Sequence, residues 1–325
     1  MTHTSFEVVT VTLNPAIDQT MTIREFTPGA INRVESVRSA AGGKGVNVAA
    51  ALADYGVKVA ATGFLGRENA ALFEELLQRK GITDQFVRTP GQTRTGIKIS
   101  DPVRSETTDI NFPGLAPQPQ ELATFRECLD GLAAPDGVWI VLAGSVPPGM
   151  DPGIYRELIE RFRGRGRKVV LDTSGQPLRL ALEAAPHIVK PNIHELEALF
   201  GRQLLTRDSI VSAAQHFIAR GTVLVTVSMG AQGALFVAAD EVVTARPPSI
   251  KVRSTVGAGD AMVAGLIAGH LHDLPLYDCA CIATAFSIHA LTRGDFRANA
   301  PAAIKAAMRE ITLTRHRLSP LPSRI

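Results

Sequence analysis

Short apolar segments alternate with helical patterns along most of this 325-residue chain. Each apolar segment is rich in Val, Ile and Leu and too short for a typical helix, which indicates a buried strand. Strands that alternate with helices favour an α/β fold, with a mostly parallel sheet covered on both faces. The predicted strands are 8–13, 59–64, 138–143, 168–171, 188–190 and 223–227, and the predicted helices are 45–55, 68–80, 119–133, 152–165, 193–200, 208–220, 260–271, 276–291 and 301–310.

Two stretches depart from this alternation. Residues 18–38 and 94–112 alternate polar and apolar side chains and contain many Thr, Ile and Val residues, so each predicts a β-hairpin with one covered face. The Arg-, Pro- and Ser-containing tail beyond about residue 312 predicts an untethered end. Because the sequence contains no internal repeat and no low-complexity linker, we expect residues 1–325 to form a single domain.

A glycine-rich turn late in the chain leads directly into an apolar helical run. In Ser254-Thr-Val-Gly-Ala-Gly-Asp260, Gly257 and Gly259 permit a tight turn, and the helix that follows adds its positive N-terminal end. This arrangement suits a phosphate or the charge that develops on a phosphoryl group in transfer. Asp260 at the rim of the turn is a possible acceptor for a hydroxyl proton. Alone, the segment is equally compatible with an ordinary strand-to-helix turn whose Asp caps the helix.

A second glycine cluster, Gly42-Gly-Lys-Gly-Val-Asn47, precedes an Ala-rich helix near the start of the chain. Its glycines let the backbone approach a ligand closely, and Lys44 supplies a point charge suited to a phosphate. Asn47, one turn into the helix, can hydrogen-bond a hydroxyl group with either end of its amide. A tight turn with a solvated lysine is the alternative interpretation.

Together, these two segments resemble the paired signatures of the ribokinase-like carbohydrate kinases. Within that superfamily the chain is most similar to the phosphofructokinase-B branch, and there to 1-phosphofructokinases and tagatose-6-phosphate kinases. The similarity runs from about residue 7 to residue 295, and seven or more motifs in family order make it specific. The supporting motifs are Thr12-Leu-Asn-Pro-Ala-Ile-Asp18, Thr93-Arg94, Thr108-Asp-Ile-Asn-Phe-Pro-Gly114, Gly144-Ser-Val-Pro-Pro-Gly149, Asp172-Thr-Ser-Gly175, Lys190-Pro-Asn-Ile-His-Glu195 and Ser228-Met-Gly-Ala-Gln-Gly233.

The resemblance implies a ribokinase-like three-layer α/β/α core and a small β-sheet lid formed by about 18–38 and 94–112. It also implies ATP and Mg²⁺ and assigns a role to each matching residue. Asp260 would be the catalytic base, and Gly257, Ala258 and Gly259 would bind the transferring phosphoryl group. The sugar and its existing phosphate would contact Asp18, Gly43, Lys44, Asn47, Arg94 and Ser145. The nucleotide would contact Lys190, Asn192, Ser228, Gly230, Gly233 and Thr255, and Glu195 would influence Mg²⁺ through water.

Several of these residues have simpler interpretations. Glu195 could merely favour a helix N-terminus, Lys190 could lie at a strand end, and Ser145 before Pro147-Pro148 could belong to a turn. The pairing of Lys44 with Arg94 favours a sugar that already carries a phosphate, with fructose 1-phosphate as acceptor and fructose 1,6-bisphosphate as product. Tagatose 6-phosphate and fructose 6-phosphate remain alternative acceptors.

Two other classes of protein are compatible with parts of the pattern. A non-catalytic sugar-phosphate-binding protein would be expected to lack the base, whereas Asp260 is present. An NAD-dependent oxidoreductase would share the strand–helix alternation, but the early Gly-x-Gly-x-x-Gly fingerprint is missing, and Met262 occupies the third glycine position of the late one.

The overall composition narrows the possible partners. A formal net charge of +3 and no basic stretch with interleaved aromatics argue against a nucleic-acid partner, and Arg161-Phe-Arg-Gly-Arg-Gly-Arg167 is interpreted as a solvated helix end. No apolar run has membrane-spanning length and no signal-peptide core is present, so we expect no membrane partner and a cytoplasmic location. The three cysteines lack metal-site spacing, and Cys279 and Cys281 are predicted to be buried thiols. We expect a homodimer joined through the β lid.

Overall fold

The computed structural model describes residues 6–293 and 300–318. Its strands are β1 (Val8–Thr12), β2 (Ala16–Thr22), β3 (Ser36–Gly42), β4 (Val59–Gly66), β5 (Thr83–Thr89), β6 (Thr95–Asp101), β7 (Glu106–Asn111), β8 (Trp139–Ala143), β9 (Lys168–Asp172), β10 (Ile188–Val189), β11 (Leu224–Ser228), β12 (Ala234–Val237), β13 (Glu241–Arg246) and β14 (Thr312–Arg317). Its α-helices are α1 (Lys44–Asp54), α2 (Ala71–Lys80), α3 (Pro119–Leu132), α4 (Ile154–Arg163), α5 (Gly175–Leu182), α6 (Ile193–Phe200), α7 (Arg207–Ile218), α8 (Ala258–Leu271), α9 (Leu276–Arg293) and α10 (Ala300–Met308).

Ten strands form the main sheet, in the order β14-β13-β12-β11-β10-β9-β8-β1-β4-β5. Seven neighbouring strands run parallel to one another: β5, β4, β1, β8, β9, β10 and β11. The last three strands, β12, β13 and β14, continue the sheet in antiparallel fashion. Parallel pairing requires a crossover between neighbouring strands, and the helices supply those crossovers. The predicted mostly parallel sheet is therefore confirmed.

Helices cover both faces of this sheet. One hydrophobic cluster joins Val8 of β1 to α1, α2, α8, α9 and α10, and a second joins Val9 and Val11 to helices α3 to α7. The alternation along β1 follows from the period of two in a strand, which sends successive side chains to opposite faces. The predicted three-layer α/β/α core is confirmed. Cys279 and Cys281 are buried in α9, as predicted.

The two predicted hairpins form the second sheet. β2 pairs with β3, and β6 pairs with β7, both in antiparallel fashion. A parallel pairing between β2 and β6 joins the hairpins into one four-stranded sheet in the order β3-β2-β6-β7. The hairpins themselves are confirmed, but the strand alternation gave no indication of the parallel contact that fuses them.

The prediction of an untethered tail beyond about residue 312 is wrong for its first part. β14 pairs with β13 from Glu241↔Arg317 to Arg246↔Thr312 and forms an edge of the main sheet. Its sequence, Thr-Leu-Thr-Arg-His-Arg, is exposed over most of its length, so it lacks the apolar pattern that identifies a buried strand. Residues 319–325 of the same tail lie outside the described residues.

Other elements were missed because they are short or polar. β5 is an edge strand with only two fully buried positions, β12 has four residues, and α5 has eight. The basic stretch at the end of α4 carries ion pairs: Arg161 and Arg165 both contact Asp130, and Arg167 contacts Asp136 at 2.6 Å. Across the described part of the chain, no helix combines the length and apolar character needed to cross a membrane.

Candidate active site

The carboxyl ends of the parallel strands deliver polar residues to one edge of the main sheet. Asp172 is the last residue of β9, Lys190 follows β10, and Ser145 comes two residues after β8. The N-terminus of α1, which contains Lys44, follows β3 of the small sheet directly. Ligands of open α/β sheets bind at this edge, so the fold brings together residues that are far apart in the sequence.

A fully buried carboxylate lies between two lysines at this edge. The side chain of Asp172 has 0% exposure, and its Oδ1 accepts a hydrogen bond of 2.9 Å from Nζ of Lys44. Nζ of Lys190, whose side chain is 4% exposed, lies 3.4 Å from Oδ2. Burial acts to raise the pKa of Asp172, but the two lysines outweigh burial and lower it. Asp172 is therefore ionised at neutral pH and holds both ammonium groups.

Lys44 is not the solvated lysine of the alternative interpretation given above. Burial opposes its charge, yet the carboxylates of Asp172 and Asp260 raise its pKa above the ordinary value. Its side chain keeps 37% exposure, so Lys44 is only partly enclosed by the protein. Lys44 can thus contact a ligand while Asp172 holds it from behind.

The predicted glycine turn leads directly into the N-terminus of α8. Gly257 has φ +77°, a left-handed conformation that favours glycine, and caps a helix that begins at Ala258. The first turn of any helix leaves its N–H groups without intrahelical acceptors, and the helix dipole adds partial positive charge there. A Cβ built at Gly259 would lie 3.2 Å from Nζ of Lys190. The ammonium group of Lys190 therefore lies directly against this turn.

Asp260 lies in the first turn of α8 and is only 6% exposed. Nδ2 of Asn47 donates a hydrogen bond of 2.8 Å to its Oδ2. Burial raises the pKa of Asp260; Lys44 lowers it in part, the carboxylate of Asp172 adds to the rise, and the Asn47 hydrogen bond opposes it. The net result is a raised pKa, which makes the carboxylate a stronger base than an exposed aspartate.

Asp18 lies where the small sheet meets the main domain. A Cβ built at Gly42 would lie 2.5 Å from its Oδ2, and one built at Gly96 would lie 2.9 Å from its Oδ1. A side chain at either position would therefore displace the carboxylate of Asp18. Burial raises the pKa of Asp18, and Lys98 and Arg94 partly oppose that rise.

Asn14 connects several elements around Asp18. Its side-chain Nδ2 donates a hydrogen bond of 3.1 Å to Oγ of Ser145. Its backbone carbonyl oxygen accepts a hydrogen bond of 3.3 Å from Nη2 of Arg94. Nη1 of Arg94 also donates to the carbonyl of Phe112. Among the described residues, no carboxylate lies within ion-pair distance of Arg94. Its charge therefore remains available to an anionic ligand.

On the predicted nucleotide side, Asn192 and Glu195 form a capping box at the start of α6. Oδ1 of Asn192 accepts from the backbone N–H of Glu195, and Oε2 of Glu195 accepts from the backbone N–H of Asn192, both at 2.8 Å. The simpler interpretation of Glu195, that it stabilises a helix N-terminus, is therefore correct as far as this contact goes. Its second carboxylate oxygen could still bind another group.

The remaining predicted residues fall into different environments. Ser228, at the end of β11, pairs with Asn192 through an isolated parallel β-bridge of the backbone. A side chain at Gly233 would collide with the carbonyl oxygen of Ala245 in β13, so strand packing alone requires this glycine. Gly230 begins a short 3₁₀ turn, and Thr255 is exposed before α8. Gly43 has φ +117° and caps α1 beside Pro15.

Among the predicted site residues, the structure joins Lys44 to Lys190 through Asp172 and Asn47 to Asp260 by a hydrogen bond. Asp172 and Asn14 lie within two of the motifs that support the family resemblance, but no role was predicted for either residue. A carboxylate at the carboxyl end of a predicted parallel strand was the available signal for Asp172. Within the described residues, no cluster of three or more His, Cys, Asp and Glu side chains is placed to hold a metal ion.

Comparison with known proteins identifies the family. The model for pfkB family carbohydrate kinases matches residues 11–303. The chain belongs to this family. It is 47% identical to a 1-phosphofructokinase of Xanthomonas campestris pv. campestris over 314 residues, which is 95% of this chain and 98% of that protein. A 1-phosphofructokinase of Rhodobacter capsulatus is also 47% identical, over 95% of this chain and 98% of its own length.

A solved structure agrees with this family placement. Phosphofructokinase-2 from Escherichia coli, crystallised with substrates and products, superposes with a TM-score of 0.86 at 28% identity. The superposition covers 93% of this chain and 98% of that protein. The predicted ribokinase-like fold and carbohydrate kinase class are both confirmed.

Proposed function

We propose that this pfkB family kinase uses ATP to phosphorylate fructose 1-phosphate and produces fructose 1,6-bisphosphate. The observation that carries the kinase chemistry is the buried Asp260 in the first turn of α8, hydrogen-bonded to Asn47 and adjacent to a positively charged helix end. The choice of acceptor is supported by two relatives at 47% identity over nearly the whole chain, both named 1-phosphofructokinase.

In this proposal Asp260 accepts the proton of the free sugar hydroxyl while that oxygen attacks the terminal phosphorus of ATP. The bond from phosphorus to the bridging oxygen breaks, and ADP leaves with that oxygen. The N–H groups of the turn Gly257-Ala258-Gly259 stabilise the charge on the transferring group. Phosphoryl transfer depends mainly on positioning and charge stabilisation, so this small set is chemically sufficient.

The sugar would lie between α8 and the small sheet. Asp18 would accept hydrogen bonds from sugar hydroxyls, and Asn47, Gly43 and Ser145 would line the same space. Arg94 would bind the existing phosphate, because its guanidinium group forms bidentate contacts and is not paired with a carboxylate among the described residues. Lys44, held by Asp172, would contact phosphate oxygens from its exposed side.

The nucleotide would occupy the side formed by Lys190, Asn192, Ser228, Gly230, Gly233 and Thr255. Mg²⁺ keeps several waters and uses few protein carboxylates at such sites, so a water-mediated contact with Glu195 fits its capping-box position, which leaves one oxygen unused. When bound, the ion would neutralise charge on the ATP phosphates.

We also propose that the small sheet is a lid and that two copies of the chain join through it. Strand alternation places Met21, Val37, Ile97 and Ile110 on the face opposite Asp18. Val37 is 56% exposed and Ile110 is 46% exposed, which a monomer would leave facing water. Ile23 and Ile99, also expected to need cover, are already buried within the chain. Because the reaction depends on ATP, we infer a cytoplasmic location.

The decisive experiment is an ADP-release assay of the purified protein with ATP, Mg²⁺ and one sugar at a time. The screen compares fructose 1-phosphate with fructose 6-phosphate, tagatose 6-phosphate and unphosphorylated fructose. We expect kcat/KM to be highest with fructose 1-phosphate. A clear preference for another sugar phosphate would replace the acceptor, and sugar-phosphate binding without ADP release would indicate a non-catalytic binding protein.

A further inference from the structure

The small sheet has one apolar and one polar face. The register pairs Asp18 with Gly96 and Thr20 with Lys98, so Lys98 lies two residues beyond Gly96 on the same face as Asp18. Asp109 is directly opposite Lys98 on β7. The polar face therefore carries a lysine and a carboxylate one step further along the sheet than the aspartate proposed to bind sugar hydroxyls.

The side chain of Lys98 is mostly buried although it lies on the small sheet. Its side chain is 16% exposed, and its Nζ lies 3.1 Å from Oδ1 of Asp109, whose side chain is 52% exposed. The two partners are thus unequal, because the cation is held against the sheet while the carboxylate remains in contact with water. Because about half of the Asp109 side chain is in contact with water, its carboxylate can turn into solvent when another anion takes its place.

Two cations act on Asp18 from this side. Burial raises its pKa, and Lys98 and then Arg94 are the groups that oppose the rise. Lys98 therefore lies within electrostatic reach of Asp18, as Arg94 does. Lys44, the other lysine near the sugar, is already paired with the buried Asp172 at 2.9 Å. Arg94, which has no carboxylate partner among the described residues, and Lys98, whose partner Asp109 is exposed, are therefore the cations here that a second anion can engage most readily.

The order of these groups fits the substrate. Asp260 would contact the hydroxyl at one end of the sugar. Asp18 lies next to Gly42, just before helix α1, and Asn47 of that helix donates a hydrogen bond to Asp260. Lys98, on the neighbouring strand β6, is two residues further along the small sheet than the position that pairs with Asp18. A hexose that already carries a phosphate presents that group at the end opposite the reacting hydroxyl. We propose that Lys98 binds the phosphate already present on the sugar, and that Asp109 holds its ammonium group until this phosphate takes its place.

This inference rests on the proposed function and predicts how the enzyme distinguishes phosphorylated from unphosphorylated sugars. Lys98→Met removes the charge and keeps the chain length. We expect the KM for fructose 1-phosphate to rise between about 10- and 150-fold, the range expected for a hydrogen bond to a charged group. The KM for ATP and any turnover of unphosphorylated fructose should stay within about threefold of wild type, because neither involves this phosphate.

Three further variants separate phosphate binding from a structural role. Lys98→Arg keeps the positive charge and should restore most of the affinity. Asp109→Asn removes the competing carboxylate, so the sugar-phosphate KM should stay unchanged or fall. Lys58→Met serves as the matched control, because Lys58 is exposed at the start of β4, at the opposite end of the parallel strands from the site.

The outcomes are distinguishable from those of the proposed function. If wild type phosphorylates fructose 1-phosphate but Lys98→Met keeps its KM, the inference is wrong and the function stands. A rise as large in Asp109→Asn as in Lys98→Met would show that the pair merely supports the sheet. If wild type prefers another sugar phosphate, the same comparison is made with that compound, and a preference for unphosphorylated sugar overturns both proposals.

Discussion

Replacing Asp172 by Asn removes the buried charge that holds two lysines of the site. The amide has nearly the same shape as the carboxylate, so the change isolates the charge. Its NH₂ group cannot accept a hydrogen bond, and at least one ammonium group, at Lys44 or Lys190, loses its partner. Lys190 has no route to water, with 4% side-chain exposure, whereas Lys44 can turn its 37% exposed side chain towards solvent.

The expected loss follows from these burials. Removing one partner of a buried ion pair destabilises a protein by about 3–5 kcal/mol. Because Lys44 is partly solvated, we expect Asp172→Asn to lower the free energy of unfolding by about 3 kcal/mol, near the lower end of this range. The site should suffer as well: with both lysines released, the KM values for sugar phosphate and for ATP should rise together.

Urea unfolding measures the first effect, and the fluorescence of the single tryptophan, Trp139, which is buried in β8, reports it. Asp136→Asn is the matched control, since Asp136 pairs with Arg167 at 2.6 Å but is 100% exposed. That control should cost at most about 1 kcal/mol, as exposed pairs do. An Asp172→Asn protein no less stable than Asp136→Asn, with both KM values unchanged, would refute the role assigned to Asp172.

Three other perturbations test separate parts of the molecule. Asp260→Asn keeps shape but removes proton acceptance, so kcat should fall about 10²- to 10⁴-fold with an unchanged circular dichroism spectrum, and wild-type turnover would end the assignment. Val34→Glu places a charge on an apolar residue of the small sheet's connecting loop that is 45% exposed; light scattering should show a dimer converted to monomers with a raised sugar KM, and a fully active wild-type monomer at micromolar concentration would contradict the dimer. Burial, aided by His270, Lys168 and Arg163, lowers the pKa of His187 to about 4 from 6.5, so its neutral form stabilises the fold above pH 6.5 and that contribution is lost as pH falls towards 4. After solvent screening we expect a loss of about 1–2 kcal/mol, absent in His187→Gln, and identical pH profiles for the two proteins would refute it.

The fold was predictable where burial imposes a pattern. β1, β8 and β9 are short, apolar and central in the sheet, and their positions were predicted to within one or two residues. β14 and β5 were not predicted, because an edge strand needs only one neighbour and can keep polar side chains facing water. The parallel pairing of β2 with β6 was missed for a different reason: strand alternation specifies which face is covered but does not specify the neighbouring strand.

The site shows the same division between position and partner. Glycine spacing and the following apolar run were enough to predict a tight turn into a helix at Gly257 and Gly259, because those properties are local to the backbone. Charge partners depend on which strand ends meet, and the sequence could not state that the lysine at residue 44 would contact a carboxylate 128 residues away. That contact changes the chemistry expected of Lys44. With Asp172 behind it, the ammonium group keeps its charge but has less net attraction for a phosphate than an unpaired lysine would have. Under the proposed function, recognition of the phosphate on the sugar then relies more on Arg94 and Lys98 than on Lys44, and the relative effects of Lys44→Met and Lys98→Met on the sugar-phosphate KM measure that division directly.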